Sequence, residues 1–155
     1  MEFSGHIPAD VGLVRAIELG QRTVDHLDGY IEHLKAQDAP VDPVKLAEIV
    51  KKTRDSGTWV IPTMMLWETS IRAAKAGELE ALPELKYTPR QTVQSWRAAY
   101  RRKAFAPDFN AKRAKQIADN RKVLLKALAD GGVKISSAPM LPSNTACPAS
   151  PFTGR

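Results

Sequence analysis

The chain has 155 residues, of which 43% are apolar and 26% are charged, a composition typical of one globular domain rather than of a disordered chain. No apolar run approaches the roughly 20 residues that cross a bilayer, and the first residues lack a signal-peptide pattern, so we expect a cytoplasmic protein without membrane contact. The single cysteine, Cys147, excludes an internal disulfide framework and a multi-cysteine zinc site.

The net charge of +6 is distributed unevenly along the chain. Residues 90–134 hold 12 Lys/Arg and 3 Asp/Glu, whereas residues 1–89 hold 10 and 14. A basic helical region can mark contact with nucleic acid. Most of these basic residues lie opposite an apolar helical stripe, so we expect a solvated helix face. The alternative is a basic helical module, in which helices from Pro89 to Phe105 and from about Asp108 to Ala129 bind acidic partners or nucleic acid.

The first elements alternate between strand and helix. The segment MEFSGHI looks like the end of a strand. Leu13, Ala16 and Ile17 then have the i, i+3, i+4 spacing of a buried helix face. Gly20 can take the left-handed conformation that closes a helix, and RTVDH follows as a second strand.

A second unit with the same order begins at Asp42. Asp42 is a favourable N-cap, and Pro43 fits the first helical position, where its missing N–H costs nothing. Gly57 ends the predicted helix, and TWVIP follows as a buried strand. The predicted buried face of this helix consists of Leu46, Ile49 and Val50.

A helical insert separates the second unit from the third. One helix of the insert is predicted with Thr88 as its cap and Pro89 at its first position, and another from about Asp108. The third unit, NRKVLLKALADGGVKI, ends in a glycine cap and a short strand. Its predicted apolar stripe consists of Ile117, Leu124, Leu125 and Leu128.

Strands that alternate with helices favour parallel pairing with helices outside the sheet, as in an α/β sheet or a (βα) barrel. His6 and His26 each follow a predicted strand, and ligands collect at the carboxyl ends of parallel strands. Imidazole is a good zinc ligand, so the two histidines can converge on one metal, although the spacing alone leaves a structural role open. His33 fits no motif and is expected at the surface.

The blocks GHIP and TVDHLDGY, followed by GTWVIPTMMLWE, resemble the imidazolonepropionase-like and prolidase-like branch of the metal-dependent amidohydrolase superfamily. The resemblance covers about residues 3–135 and implies a partial (βα)8 TIM barrel, strands five to eight with their helices, plus the helical insert. It implies that His6 and His26 are metal ligands from the fifth and sixth strands. Pro62 and Thr63 match the end of the seventh strand.

The resemblance implies hydrolysis of amide, lactam or peptide-like C–N bonds of small substrates by metal-activated water. The cofactor would be one or two divalent metal ions, with zinc as the expected ion. The chain lacks the family's first-strand His-x-His pair and has no acidic residue after Asp130. We therefore assign no catalytic residue, expect little or no hydrolysis by the isolated chain, and expect exposed strand edges to favour self-association.

Residues 136–155 are predicted to be an irregular, non-native tail. KISSAPMLP stands where the family has Gly-(Thr/Ser)-Asp-Ala-Pro. Back-translation of this segment, read two nucleotides downstream, yields Gly-Ser-Asp-Ala-Pro, with the Asp codon straddling Pro139 and Met140. We therefore hypothesise that the tail from about Ser136 is a frameshift product, and a genuine divergent tail is the alternative.

Overall fold

A computed structural model describes residues 3–64, 83–104 and 110–136. The chain begins with β1 (Phe3–Gly5), α1 (Leu13–Glu18), β2 (Gln21–Asp25), α2 (Tyr30–His33), α3 (Pro43–Ser56) and β3 (Trp59–Ile61). It continues with a 3-10 helix (Pro83–Tyr87), α4 (Arg90–Ala104), α5 (Ala111–Asp130) and β4 (Lys134–Ile135). The predicted α/β class is confirmed.

The four strands form one sheet in the order β1-β2-β3-β4, and each neighbouring pair is parallel. Val24 of β2 lies beside Val60 of β3, which lies beside Ile135 of β4. Because all pairs are parallel, the carboxyl ends of the strands meet at one edge of the sheet. That edge is where His6 and His26 follow their strands.

The helices pack on the sheet face that carries Val24 and Val60, both of which are fully buried. Removal of apolar area from water is the main stabilising term for such a core. The predicted helix faces are confirmed, since Leu46 and Ile117 pack at the margin of the cluster and Leu125 is half-buried. The helix residues buried within the cluster include Leu13, Ala16, Ile17, Ile49, Val50, Leu124 and Leu128.

The opposite face of the sheet is polar and partly open in the described part of the chain. Thr23, Trp59 and Lys134 are neighbours across β2, β3 and β4. Trp59 is 44% exposed, and the Lys134 Nζ atom lies 5.8 Å from the centroid of its ring. Parallel sheets are normally buried on both faces, so this one-sided cover is unusual.

Helix α3 begins and ends where its capping residues predict. Asp42 Oδ1 accepts hydrogen bonds from the backbone N–H groups of Val44 and Lys45, at 2.9 and 3.3 Å. Gly57 follows with a φ of 72°, a left-handed conformation that glycine adopts without steric cost.

Helix α5 agrees with the helix predicted from about Asp108 to Ala129. It begins after Asn110, whose Oδ1 accepts a hydrogen bond from the Arg113 N–H at 2.9 Å. The buried Asn120 amide donates to the carbonyl oxygens of Ala36 and Ala39, each at 2.7 Å. These two bonds tie α5 to the loop that follows α2.

The backbone N–H of Ser136 donates to the Val60 carbonyl at 2.9 Å, so pairing with β3 reaches the first residue of the predicted tail. The rest of that tail, with Cys147, lies outside the described residues. None of the helices within the described ranges is long and apolar enough to cross a membrane.

Candidate metal centre

His6 and His26 lie side by side at the carboxyl edge of the sheet. His6 follows β1 and His26 follows β2, and these strands are paired in parallel. The centroids of the two imidazole rings are 4.8 Å apart, and the ring planes are tilted by 33°. The structure therefore brings together the two histidines that the sequence predicts as ligands.

Each imidazole is held through its Nδ1 atom. His6 Nδ1 is 2.5 Å from Asp28 Oδ2, and His26 Nδ1 shares a hydrogen bond with Thr63 Oγ1. With Nδ1 engaged, Nε2 is the nitrogen that each ring offers to a metal. An oxygen partner on the second ring nitrogen is the usual way that proteins orient metal-binding histidines.

A tight turn after β2 sets the direction of His26. The Asp28 N–H donates to the Asp25 carbonyl at 3.0 Å, and the two residues between them, His26 and Leu27, both have a φ of 58°. Positive φ at both central residues is typical of a type I′ turn, which normally uses Asn or Gly. Each non-glycine residue in this conformation costs about 1–2 kcal/mol, so other contacts must hold the turn.

Arg121 of α5 supplies one of these contacts. Its side chain is buried, and its Nη1 donates to the His26 carbonyl oxygen at 2.5 Å. Burial lowers the pKa of Arg121 to about 10, against the opposing influence of Glu32 and Asp28. The guanidinium therefore stays charged at neutral pH and gives a charge-assisted hydrogen bond to the turn.

The surroundings of His26 favour its neutral form. Burial is the main cause that lowers its pKa, and the nearby His6 and Arg121 act in the same direction. Asp28 and Asp25 oppose this shift by stabilising the protonated ring. Because only a deprotonated ring nitrogen can bind a metal, the shift favours metal binding near neutral pH.

Two histidines are fewer ligands than a zinc site normally has, since three or four protein ligands are usual. Within the described ranges, no group of three or more His, Cys, Asp or Glu side chains is placed to hold a metal ion. His6 and His26 therefore fit a part of a metal centre. His33, at the end of α2, is exposed as predicted.

The sequence interpretation missed two residues of this arrangement. Asp28, which contacts His6, lies in the TVDHLDGY block, which predicts no role for it. Arg121 is the other, and its signal was present in the sequence. It falls on the predicted apolar stripe between Ile117 and Leu124, and a charge at such a position needs a buried partner.

Three basic residues of α5 form ion pairs on the surface. Lys115 and Lys126 each pair with an aspartate one turn later, Asp119 and Asp130. Arg113 Nε lies 3.3 Å from Asp38 Oδ1. These pairs are mostly exposed to solvent, an arrangement that fits the expected solvated helix face.

Comparison of the chain with protein-family models, with curated proteins and with solved structures found no match.

Proposed function

We propose that this chain is part of a metal-dependent amidohydrolase and contributes His6 and His26 as metal ligands. The complete site would hydrolyse amide, lactam or peptide-like C–N bonds of small substrates. One observation carries the proposal. The two rings lie 4.8 Å apart at the carboxyl edge of a parallel sheet, and each uses Nδ1 for an oxygen partner.

We propose further that the sheet is a segment of a (βα)8 barrel. Its strands are neighbours in chain order, as in a barrel wall, and the helices pack on one face. The open face carries Thr23, Trp59 and Lys134, and in a barrel this face would turn toward the remaining strands. β1 and β4 would then be the edges where further strands pair.

The chemistry divides between a metal ion and the side chains of the chain. A divalent metal, with zinc as the expected ion, would supply Lewis-acid activation of water and of the substrate carbonyl. His6 and His26 would bind it through Nε2, while Asp28 and Thr63 orient the two rings. With only these two ligands, we expect weak binding and little or no hydrolysis.

A zinc titration followed by calorimetry tests the proposed ligands. We expect one zinc ion per wild-type chain, with affinity lowered at least about tenfold in His6→Asn and in His26→Asn. His33→Asn is the matched control, because it removes an exposed histidine and should bind zinc as the wild type does. A wild-type chain that binds no zinc, or an equal loss in all three variants, would contradict the proposal.

Turnover tests the expected inactivity separately. The zinc-loaded chain is incubated with small amide and dipeptide substrates, and we expect no hydrolysis above the level of zinc alone. Hydrolysis that disappears in His26→Ala would show that the two histidines suffice for an active site.

A further inference from the structure

The position of the His26 ring depends on a turn that its own residues disfavour. His26 and Leu27 both adopt positive φ, and neither is a glycine or an asparagine. The start of the turn is fixed by the His26 N–H, which donates to the Ile61 carbonyl at 2.7 Å, and Leu27 is fully buried. The His26 carbonyl leaves the sheet and points to Arg121 instead.

We propose that Arg121 is the positioning residue of this centre: its guanidinium binds the His26 carbonyl and so holds the left-handed turn that places the His26 ring beside His6. The inference rests on the proposed function for what the ring pair does. The geometry it explains, a ring separation of 4.8 Å, requires no metal.

Arginine is suited to this position for two reasons. Arg121 projects from α5 and is only 4% exposed, so its hydrogen bond to the His26 carbonyl is shielded from water. Its charge is also compensated locally, because Glu32 and Asp28 both attract the guanidinium. Asp28 in turn binds His6 Nδ1, so Arg121 acts on the partner of one histidine and on the backbone of the other.

The test compares Arg121→Met and Arg121→Lys with the wild type in the absence of metal. The readout is the nuclear Overhauser effect between the ring protons of His6 and His26, which reports their proximity directly. We expect it in the wild type, its loss in Arg121→Met, and its recovery in Arg121→Lys, because lysine can still donate to the carbonyl. Arg113→Met is the control, since it removes an exposed arginine from the same helix.

A residue that only stabilises the fold would lower the unfolding temperature and leave the rings together in the folded chain. A persistent ring contact in folded Arg121→Met would therefore overturn the proposal. If Arg121→Met does not fold, a measurement on the wild type tests the proposal instead. A scalar coupling across the hydrogen bond between Arg121 Nη1 and the His26 carbonyl carbon supports the proposal, and its absence overturns it.

Zinc affinity tests whether the position that Arg121 gives to His26 matters for metal binding. We expect zinc binding to weaken about 10- to 100-fold in Arg121→Met. This is the loss typical when a residue that orients a metal ligand through a hydrogen bond is removed. If the wild type binds no zinc, the proposed function fails, and the metal-free ring contact alone decides the role of Arg121.

Discussion

Tyr30 is the largest fully buried side chain described, and its hydroxyl has one partner inside the core. The Tyr30 hydroxyl lies 2.9 Å from Thr53 Oγ1. Thr53 Oγ1 itself donates to the Ile49 carbonyl at 2.8 Å, so Tyr30 is the donor in their shared bond. Burial raises the pKa of Tyr30 to about 12.

This shift predicts a loss of stability in alkali that Tyr30→Phe removes. Below the ordinary tyrosine pKa of 10.0 the stability that Tyr30 contributes is fully present. It declines as the pH rises toward about 12, because in this range Tyr30 ionises only in the unfolded chain. The free energy of unfolding should fall by about 1.4 kcal/mol per pH unit more in the wild type than in Tyr30→Phe. Urea unfolding at pH 8, 10 and 11 measures this, and parallel pH profiles for the two proteins would contradict it.

The hydrogen bonds of Asn120 should also stabilise the fold. Asn120→Ala removes both donors to the Ala36 and Ala39 carbonyls and should lower the free energy of unfolding by about 2–3 kcal/mol. Asn120→Asp keeps the shape of the side chain without its donors and should cost at least as much. Chemical denaturation provides the values. A loss below about 0.5 kcal/mol in Asn120→Ala would contradict a stabilising role for these two hydrogen bonds.

The partners of Asn120 and Arg121 could not be predicted from the sequence. Both residues lie in a helix that the apolar stripe predicted correctly. Their partners lie 81 to 95 positions away in the chain, and no local pattern encodes such a distance. A charge on an apolar stripe indicates that a partner exists, but the sheet order decides that it is the His26 carbonyl.

Among the elements, α3 lies close to the end of α5 at Gly131, the residue that follows α5. A Cβ atom at this position would lie 2.3 Å from Val50 Cγ1 and 3.0 Å from the Ala127 carbonyl oxygen. The φ of Gly131 is −78°, which any residue can adopt. The absence of a side chain at Gly131 therefore serves helix packing rather than backbone conformation.

Gly131→Ala should destabilise the chain by about 1–3 kcal/mol through this overlap. Val50→Ala alone should also destabilise, by about 1–2.5 kcal/mol, because it leaves a cavity. Combined, the two changes should cost less than their sum, since the smaller residue 50 makes room for the new methyl group. Denaturation of the double-mutant cycle measures this coupling, and strict additivity would contradict the packing.

A control for the cycle is available in the same core. Val60 is buried more deeply than Val50, with 0% against 8% exposed, but is not among the closest neighbours of the Gly131 position. Val60→Ala should therefore add to Gly131→Ala without coupling.

Element boundaries were predictable where the signals are local. The start of α3 follows from Asp42 and Pro43, and its end follows from Gly57, all of which act within one turn. The extent of α5 was predictable as well, since the sequence predicts one helix from about Asp108 to Ala129 and the structure has it from Ala111 to Asp130. Ile117 and Leu128 share the packed face of this helix.

For the whole molecule, the sequence predicted the parallel sheet and the meeting of His6 with His26, because alternating strands and helices place strand ends at one edge. It could not predict how the rings are held, since this depends on turn geometry and on α5. The partial barrel stays a proposal. Its basis is a sheet with helices on one face, β1 and β4 at its edges, and an open face around Trp59.

An open sheet of this kind should self-associate through its edges. Sedimentation velocity should show an average mass that rises with concentration for the wild type and falls in Phe3→Lys, which places a charge on β1. Val11→Lys is matched in exposure, 39% against 37%, but lies outside the strands, so it should behave as the wild type does. A wild-type chain that stays monomeric at all concentrations would contradict the expectation.

The central claim is that His6 and His26 bind one metal ion together. The most direct measurement is a long-range ¹H–¹⁵N spectrum of the imidazole rings recorded with increasing zinc. We predict that the Nε2 resonances of His6 and His26 shift together and saturate at one equivalent, while His33 does not change. Unchanged Nε2 resonances in this pair, or a shift of His33 alone, would contradict the claim.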